Sequence, residues 1–136
     1  MDNADAGRVL SLDTHDNQKV LEILRESEDR DAVFCYLRFW VRAAGPRISA
    51  SGNFAAADVH VEEFVQGIEN GSKATLWDID GEGAISIECT NLIGHFNVSV
   101  WLGNVEGDRA WISFETDQTA IIPFARGLKR LAAKRS

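Results

Sequence analysis

Several short runs of this chain alternate apolar and polar residues, and its four tryptophans fall out of phase with the aliphatic positions. In 95–102 the aliphatic set is Phe96, Val98, Val100 and Leu102, leaving Trp101 with His95, Asn97 and Ser99. In 109–115 Ala110, Ile112 and Phe114 oppose Trp111, Ser113 and Glu115. In 34–42 Cys35, Leu37, Phe39 and Val41 oppose Tyr36, Arg38, Trp40 and Arg42, and in 73–78 Ala74 and Leu76 oppose Thr75 and Trp77. Successive strand side chains point to opposite faces. The pattern therefore predicts one aliphatic face for the core and an opposite face that carries indoles among polar and charged groups.

The remaining elements follow from periodicity and turn chemistry. A short strand is expected over Val9–Asp13. The segment 19–26 fits helix almost as well as strand and is assigned to a strand, because the acidic stretch 26–31 before 32–41 reads as a hairpin. Gly45-Pro46 marks a turn into a strand over 47–54 that alternates Ile48, Ala50, Gly52 and Phe54 against polar residues. Gly52 in mid-strand suggests a bulge or a close backbone approach. Val61, Phe64, Val65 and Ile68 then follow helical spacing, with Asp58 as N-cap and Asn70-Gly71 as the stop. Four strands follow near 73–79, 84–90, 94–103 and 109–116, with Asp80-Gly81 and 103–108 in the turns. A last helix opens near 117–119 and buries Ile121, Ala125, Leu128 and Leu131 or Ala132. It tolerates Pro123 near its first turn. The expected fold is α+β: a mostly antiparallel, curved sheet of about seven or eight strands with two helices on one face. One domain spans residues 1–136, the first seven are expected to be disordered, and no internal repeat is evident.

Composition narrows the function classes. The net charge is −7, and the 45% hydrophobic content is that of an ordinary globular protein. No apolar stretch approaches the roughly 20 residues of a spanning helix, and no signal-peptide core follows Met1, so a cytoplasmic location away from membranes is expected. The basic group Arg126, Lys129, Arg130, Lys134 and Arg135 fits a helix C-terminus better than a nucleic-acid footprint, which is usually broad. Nucleic-acid binding is not expected, whereas an acidic chain suits a basic protein partner. Cys35 and Cys89 both fall on aliphatic faces as small hydrophobes, and a disulfide is disfavoured in the cytosol.

Chemical motifs are sparse. Asp78-Ile79-Asp80-Gly81-Glu82 resembles part of a calcium loop, but the further ligands of that spacing are missing and a hairpin turn explains it. His15, His60 and His95 have no metal-ligand spacing, so neither a metal nor a cofactor is expected. His95 reads either as a turn histidine after Gly94 or as part of the indole face. No nucleophile motif occurs. Glu88 and Glu115 share the indole face and could handle a sugar by carboxylate chemistry, although any acidic sheet face would carry such a pair. The expected partner-binding set is Trp101, Trp111, Trp40, Trp77, Arg38, Glu88, Glu115 and His95, with Trp101 and Trp111 as central anchors. Two alternatives remain: the tryptophans form a second small core beneath the N-terminal strands, or they bind a small molecule or carbohydrate, with weak hydrolysis through Glu88 and Glu115.

The stretch from Phe34 to Leu131 resembles the WapI-type immunity proteins and related bacterial domains. The resemblance is carried by Val61-Glu62-Glu63-Phe64, by Gly94-His95-Phe96-Asn97-Val98, and by the run from Trp111 through Ser113, Glu115 and Asp117 to Thr119. These motifs are short and mostly structural, and the first 30 residues add little. The resemblance implies a non-enzymatic cytosolic inhibitor that occludes a cognate toxin domain, of a kind that is often a nuclease with a basic cleft. It carries over no contact residues.

Overall fold

The computed structural model describes residues 9–14, 20–30, 35–90, 94–103 and 107–133, without the side chains of 27–30. The expected disorder of the first seven residues, His15, Lys134 and Arg135 lie outside them. Strands β1 (Val9–Asp13), β2 (Val20–Arg30), β3 (Cys35–Ala44) and β4 (Ser49–Ala57) lead into helix α1 (Asp58–Glu69). Strands β5 (Ala74–Trp77), β6 (Gly83–Cys89), β7 (His95–Gly103) and β8 (Arg109–Asp117) then lead into helix α2 (Gln118–Ala133). Both sets of strands form antiparallel meanders, in the orders β1-β2-β3-β4 and β5-β6-β7-β8. The α+β class is as expected, but the single sheet is corrected to two sheets of four strands. The reason lies in the connection: α1 carries the chain away after β4, so β5 starts a second sheet instead of pairing with the first.

Alternation does what the sequence pattern implies. Leu37, Phe39, Val41, Phe96, Val98, Val100, Leu102, Ile112 and Phe114 are buried, and they join the inner faces of both sheets and both helices in one hydrophobic cluster. The ambiguous 20–26 segment is strand, with Leu21 and Ile23 buried. A β-bulge at Glu26 interrupts its pairing with β3. Ile48, expected on the core side, is exposed because the strand starts only at Ser49; the Ile48 carbonyl instead accepts the Gly45 N–H at 2.7 Å. Phe54, Ala55, Ala56 and Ala57 are all buried, which breaks the alternation at the end of β4.

Helix α1 begins on Asp58 itself, with Ala57 in the capping position and no side-chain cap; Asp58 Oδ1 accepts the adjacent Val59 N–H. The expected Asp58 N-cap is thus displaced by one residue. β4 runs straight into the helix, and the core takes the Ala57 methyl at the position where a cap would sit. At the other end the Ser72 N–H donates to the Gly67 carbonyl and the Gly71 N–H to the Ile68 carbonyl, with Gly71 at φ +74°. Helix α2 does have a side-chain cap: Asp117 Oδ1 accepts the Ala120 N–H at 3.3 Å and the Thr119 hydroxyl. Pro123 lies in the second turn rather than the first, so the helical bond that its N–H would have made to the Thr119 carbonyl is missing. At the far end Arg25 reaches from β2 to donate to the Leu131 carbonyl at 2.7 Å.

The absence of a repeat also needs correction. Both halves follow the same plan of four strands and a helix. Their β4–α1 and β8–α2 segments match at a constant spacing of sixty residues: Phe54 with Phe114, Val61 with Ile121, Phe64 with Phe124, Gly67 with Gly127, and Ile68 with Leu128. Both matched glycines sit at close approaches. A Cβ on Gly67 would lie 3.0 Å from the Ala74 Cβ of β5, and one on Gly127 would lie 2.4 Å from Leu10 Cδ1 of β1. Each helix therefore crosses the first strand of the opposite sheet where a glycine lets it approach.

Candidate functional site

The eight residues expected on one indole face divide between two sheets. Arg38 and Trp40 lie on the outer face of the first sheet, Trp40 in a cross-strand row that runs Val9, Leu24, Trp40, Asn53 and Arg38 one step along β3, opposite Ala55. Arg42, one step further along the same face, pairs with Glu22 at 2.7 Å. The other six lie on the outer face of the second sheet. The reason is again the break after β4.

On the second sheet the register is regular enough to place whole rows. Trp77, Ala84, Trp101 and Trp111 form one row across all four strands. Ala84 is buried and its methyl leaves room for the flanking indoles. Trp77 meets Trp101 edge to face, with centroids 6.4 Å apart and planes at 80°. The Arg109 guanidinium lies 5.7 Å from the Trp101 centroid, within cation–π range. Trp111 and Trp77 are 69% and 60% exposed, Trp101 is half-buried between them, and Trp40 on the other sheet is 38% exposed. These exposures dispose of the second-core alternative, since none of the four indoles is buried. Trp77, ranked below Trp101 and Trp111 by sequence, stands in the same row as both.

The next row holds Thr75, Ser86, Ser99 and Ser113, and the Thr75 and Ser86 hydroxyls are 3.2 Å apart. Beyond it, Asn97 separates Glu88 from Glu115. Those two residues stand two strand spacings apart, about 10 Å at the backbone, wider than the roughly 5 Å of a retaining carboxylate pair and near the roughly 6.5–9.5 Å of an inverting one. Both are exposed, and none of the three clefts described below is lined by either. His95 shares the face by parity but sits six residues along β7 from Trp101, roughly 20 Å away. Its carbonyl accepts the Thr90 N–H at 2.8 Å at the end of the sheet.

The Asp78–Glu82 segment is a turn with an architectural task. Gly81 takes φ +75°, and its N–H donates to the Asp78 carbonyl at 2.9 Å. The buried Asp78 carboxylate accepts the Ala55 N–H at 2.8 Å, the Asp80 N–H at 3.1 Å and the Glu82 N–H at 3.4 Å. The Ile79 N–H meanwhile donates to the Ala55 carbonyl at 2.7 Å. Asp78 and Ile79 thus fasten the second sheet onto the edge of β4, which explains the burial of Ala55–Ala57. Among the described residues no group of three or more His, Cys, Asp or Glu side chains could hold a metal.

Sequence reasoning missed the concave features. A cleft of about 560 Å³ wraps the edge of β4, between it and the Asp80–Glu82 turn and the Asp108–Ala110 start of β8. A smaller apolar hollow of about 280 Å³ lies beside Tyr36, His60, Trp77 and Ile79. A shallow groove between α1 and β5 adjoins it. The one sequence signal for the large cleft was Gly52, and its reading is corrected. The β3–β4 register runs without a shift past Gly52, and a Cβ there would meet nothing within 4 Å. Gly52 marks an empty space and neither a bulge nor a close approach.

No protein-family model matches this chain, and no curated protein matches it. No helix among the described residues is long and apolar enough to cross a membrane.

Proposed function

We propose that this chain is a non-enzymatic, immunity-type protein that neutralises a cognate bacterial toxin domain in the cytoplasm by covering it with the outer face of the second sheet. The observation that carries this reading is the exposed row of Trp77, Trp101 and Trp111, set over Ala84 and edged by Arg109. Trp and Arg dominate interface hot spots, and aromatic residues are enriched where protein interfaces form. The net charge of −7 favours a basic partner and adds electrostatic steering. A toxin with a basic, nucleic-acid-binding cleft has that character.

A carbohydrate-binding reading has one observation in its favour, the row of Thr75, Ser86, Ser99 and Ser113 hydroxyls beside the indoles. The test that separates the two is co-expression with the polymorphic toxin domain encoded next to this chain. Restored growth and a co-purifying complex support the immunity reading. Unrelieved toxicity, or the absence of any toxin gene there, contradicts it.

A further inference from the structure

We propose that the open edge of β4 is a second binding site, which takes up an extended, basic segment of another polypeptide as an added strand. It adjoins the indole face at Arg109 but does not depend on the immunity reading. Among the described residues β4 is the last strand of its sheet. The N–H and carbonyl of Ala55 both point away from β3, to the Asp78 carboxylate and the Ile79 N–H. Main-chain groups of an antiparallel strand alternate sides, so those of Ser51 and Asn53 point the same way, into the cleft. The chain's own turn has therefore taken the first rung of this edge, and the rungs beyond it remain for an incoming strand.

Short of Ala55, where the Asp78 turn covers it, the edge carries no side chain that normally blunts one. Ser49-Ala50-Ser51-Gly52-Asn53 contains no charge, no proline and no bulge. The second half of the molecule shows what an occupied version looks like. At the position matching Gly52 stands Ile112, 8% exposed and part of the core, and at the position matching Ser51 stands Trp111. The first half instead leaves a hollow, floored by Phe54, Leu102 and Ala110. An apolar side chain of the added strand fits there. The charge of the walls selects its neighbours: Glu26, Asp80, Glu82 and Asp108 line the cleft against Arg38 and Arg109, and Arg109 is drawn over the Trp101 ring. Basic residues flanking an apolar one complement these walls.

The probe is a terminally blocked Lys-Val-Lys-Val-Lys peptide, titrated into the isotope-labelled full chain and followed by amide NMR and hydrogen exchange. Saturable shifts centred on residues 49–53, with slowed exchange of the Ser51 and Asn53 amides, are expected. The Glu-Val-Glu-Val-Glu peptide, and a Lys-Val-Lys-Val-Lys peptide N-methylated at alternate residues, should each bind at least about tenfold more weakly. Gly52→Val should fill the hollow and lose binding by a similar factor while folding normally. Should that variant unfold, Ser51→Pro carries the test, because proline is tolerated where a strand N–H faces outward from an edge. Trp111→Ala should leave peptide binding unchanged, which separates failure here from failure of the indole-face reading. Equal binding of acidic and basic peptides, shifts centred on Trp77 and Trp111, no binding at millimolar peptide, or full affinity in the blocked variant would overturn the proposal.

Discussion

Replacing Asp78 by alanine tests the fastening of one sheet to the other. The carboxylate accepts three main-chain N–H groups, and the one from Ala55, at 2.8 Å, is buried. The Asp80 and Glu82 amides lie in an exposed turn and regain water when the acceptor is removed, so their loss contributes little. The Ala55 amide cannot, and a buried donor left without its charged acceptor costs about 1.5–3 kcal/mol. With loosening of the turn added, Asp78→Ala is expected to destabilise the chain by roughly 2–4 kcal/mol. Asp78→Asn keeps an oxygen in place without the charge and should cost about half as much. Asp80→Asn, at an exposed position of the same turn, should stay within about 0.5 kcal/mol. Urea unfolding measures all three, with the midpoint shifting at constant slope. If Asp78→Ala matched Asp80→Asn, the Ala55 bond would have no weight and the argument for how the sheets are joined would fail.

Other substitutions probe the close approaches and the caps. Gly67→Ala gains about 1 kcal/mol of helix propensity, but the Ala74 Cβ at 3.0 Å has no rotamer through which to yield. A net loss of about 1 kcal/mol is expected from overpacking. Gly52→Ala, with nothing within 4 Å of the new Cβ, should instead stabilise by about 0.5 kcal/mol. Thermal unfolding reads both, and a reversed order would contradict the packing at the helix crossing. Asp117→Ala removes the α2 cap and should cost about 1 kcal/mol by the same measurement. An unchanged midpoint would mean that the Ala120 N–H is satisfied elsewhere.

Much of this architecture was legible because strand parity is local information. The alternation of Phe96, Val98, Val100 and Leu102 against Trp101 requires only neighbouring residues, and the structure keeps it. Which strands share a sheet is not local. Trp40 and Trp101 have the same parity signature, yet α1 separates their sheets, so the expected eight-residue face is split, two residues on the first sheet and six on the second. The sixty-residue repeat was hidden for a related reason. Matched positions such as Ala57 and Asp117, or Gly52 and Ile112, differ in chemistry because one half is fastened by the Asp78 turn and the other is capped by its own aspartate. The β4 cleft left almost no trace in the sequence. It is made by small residues that occupy little space, and a glycine in mid-strand can signal a contact or a void. Only the empty space around Gly52 decides which.

The central claim is that the exposed indole row of the second sheet holds the partner and does little for the fold. Its most direct test pairs two numbers on one variant, Trp111→Ala: affinity by calorimetry for a toxin domain that the parent chain neutralises on co-expression, and stability by urea unfolding. The account predicts a loss of binding of about 2 kcal/mol or more with stability within about 0.5 kcal/mol of the parent. Undiminished affinity, or a large stability loss with binding intact, would contradict it.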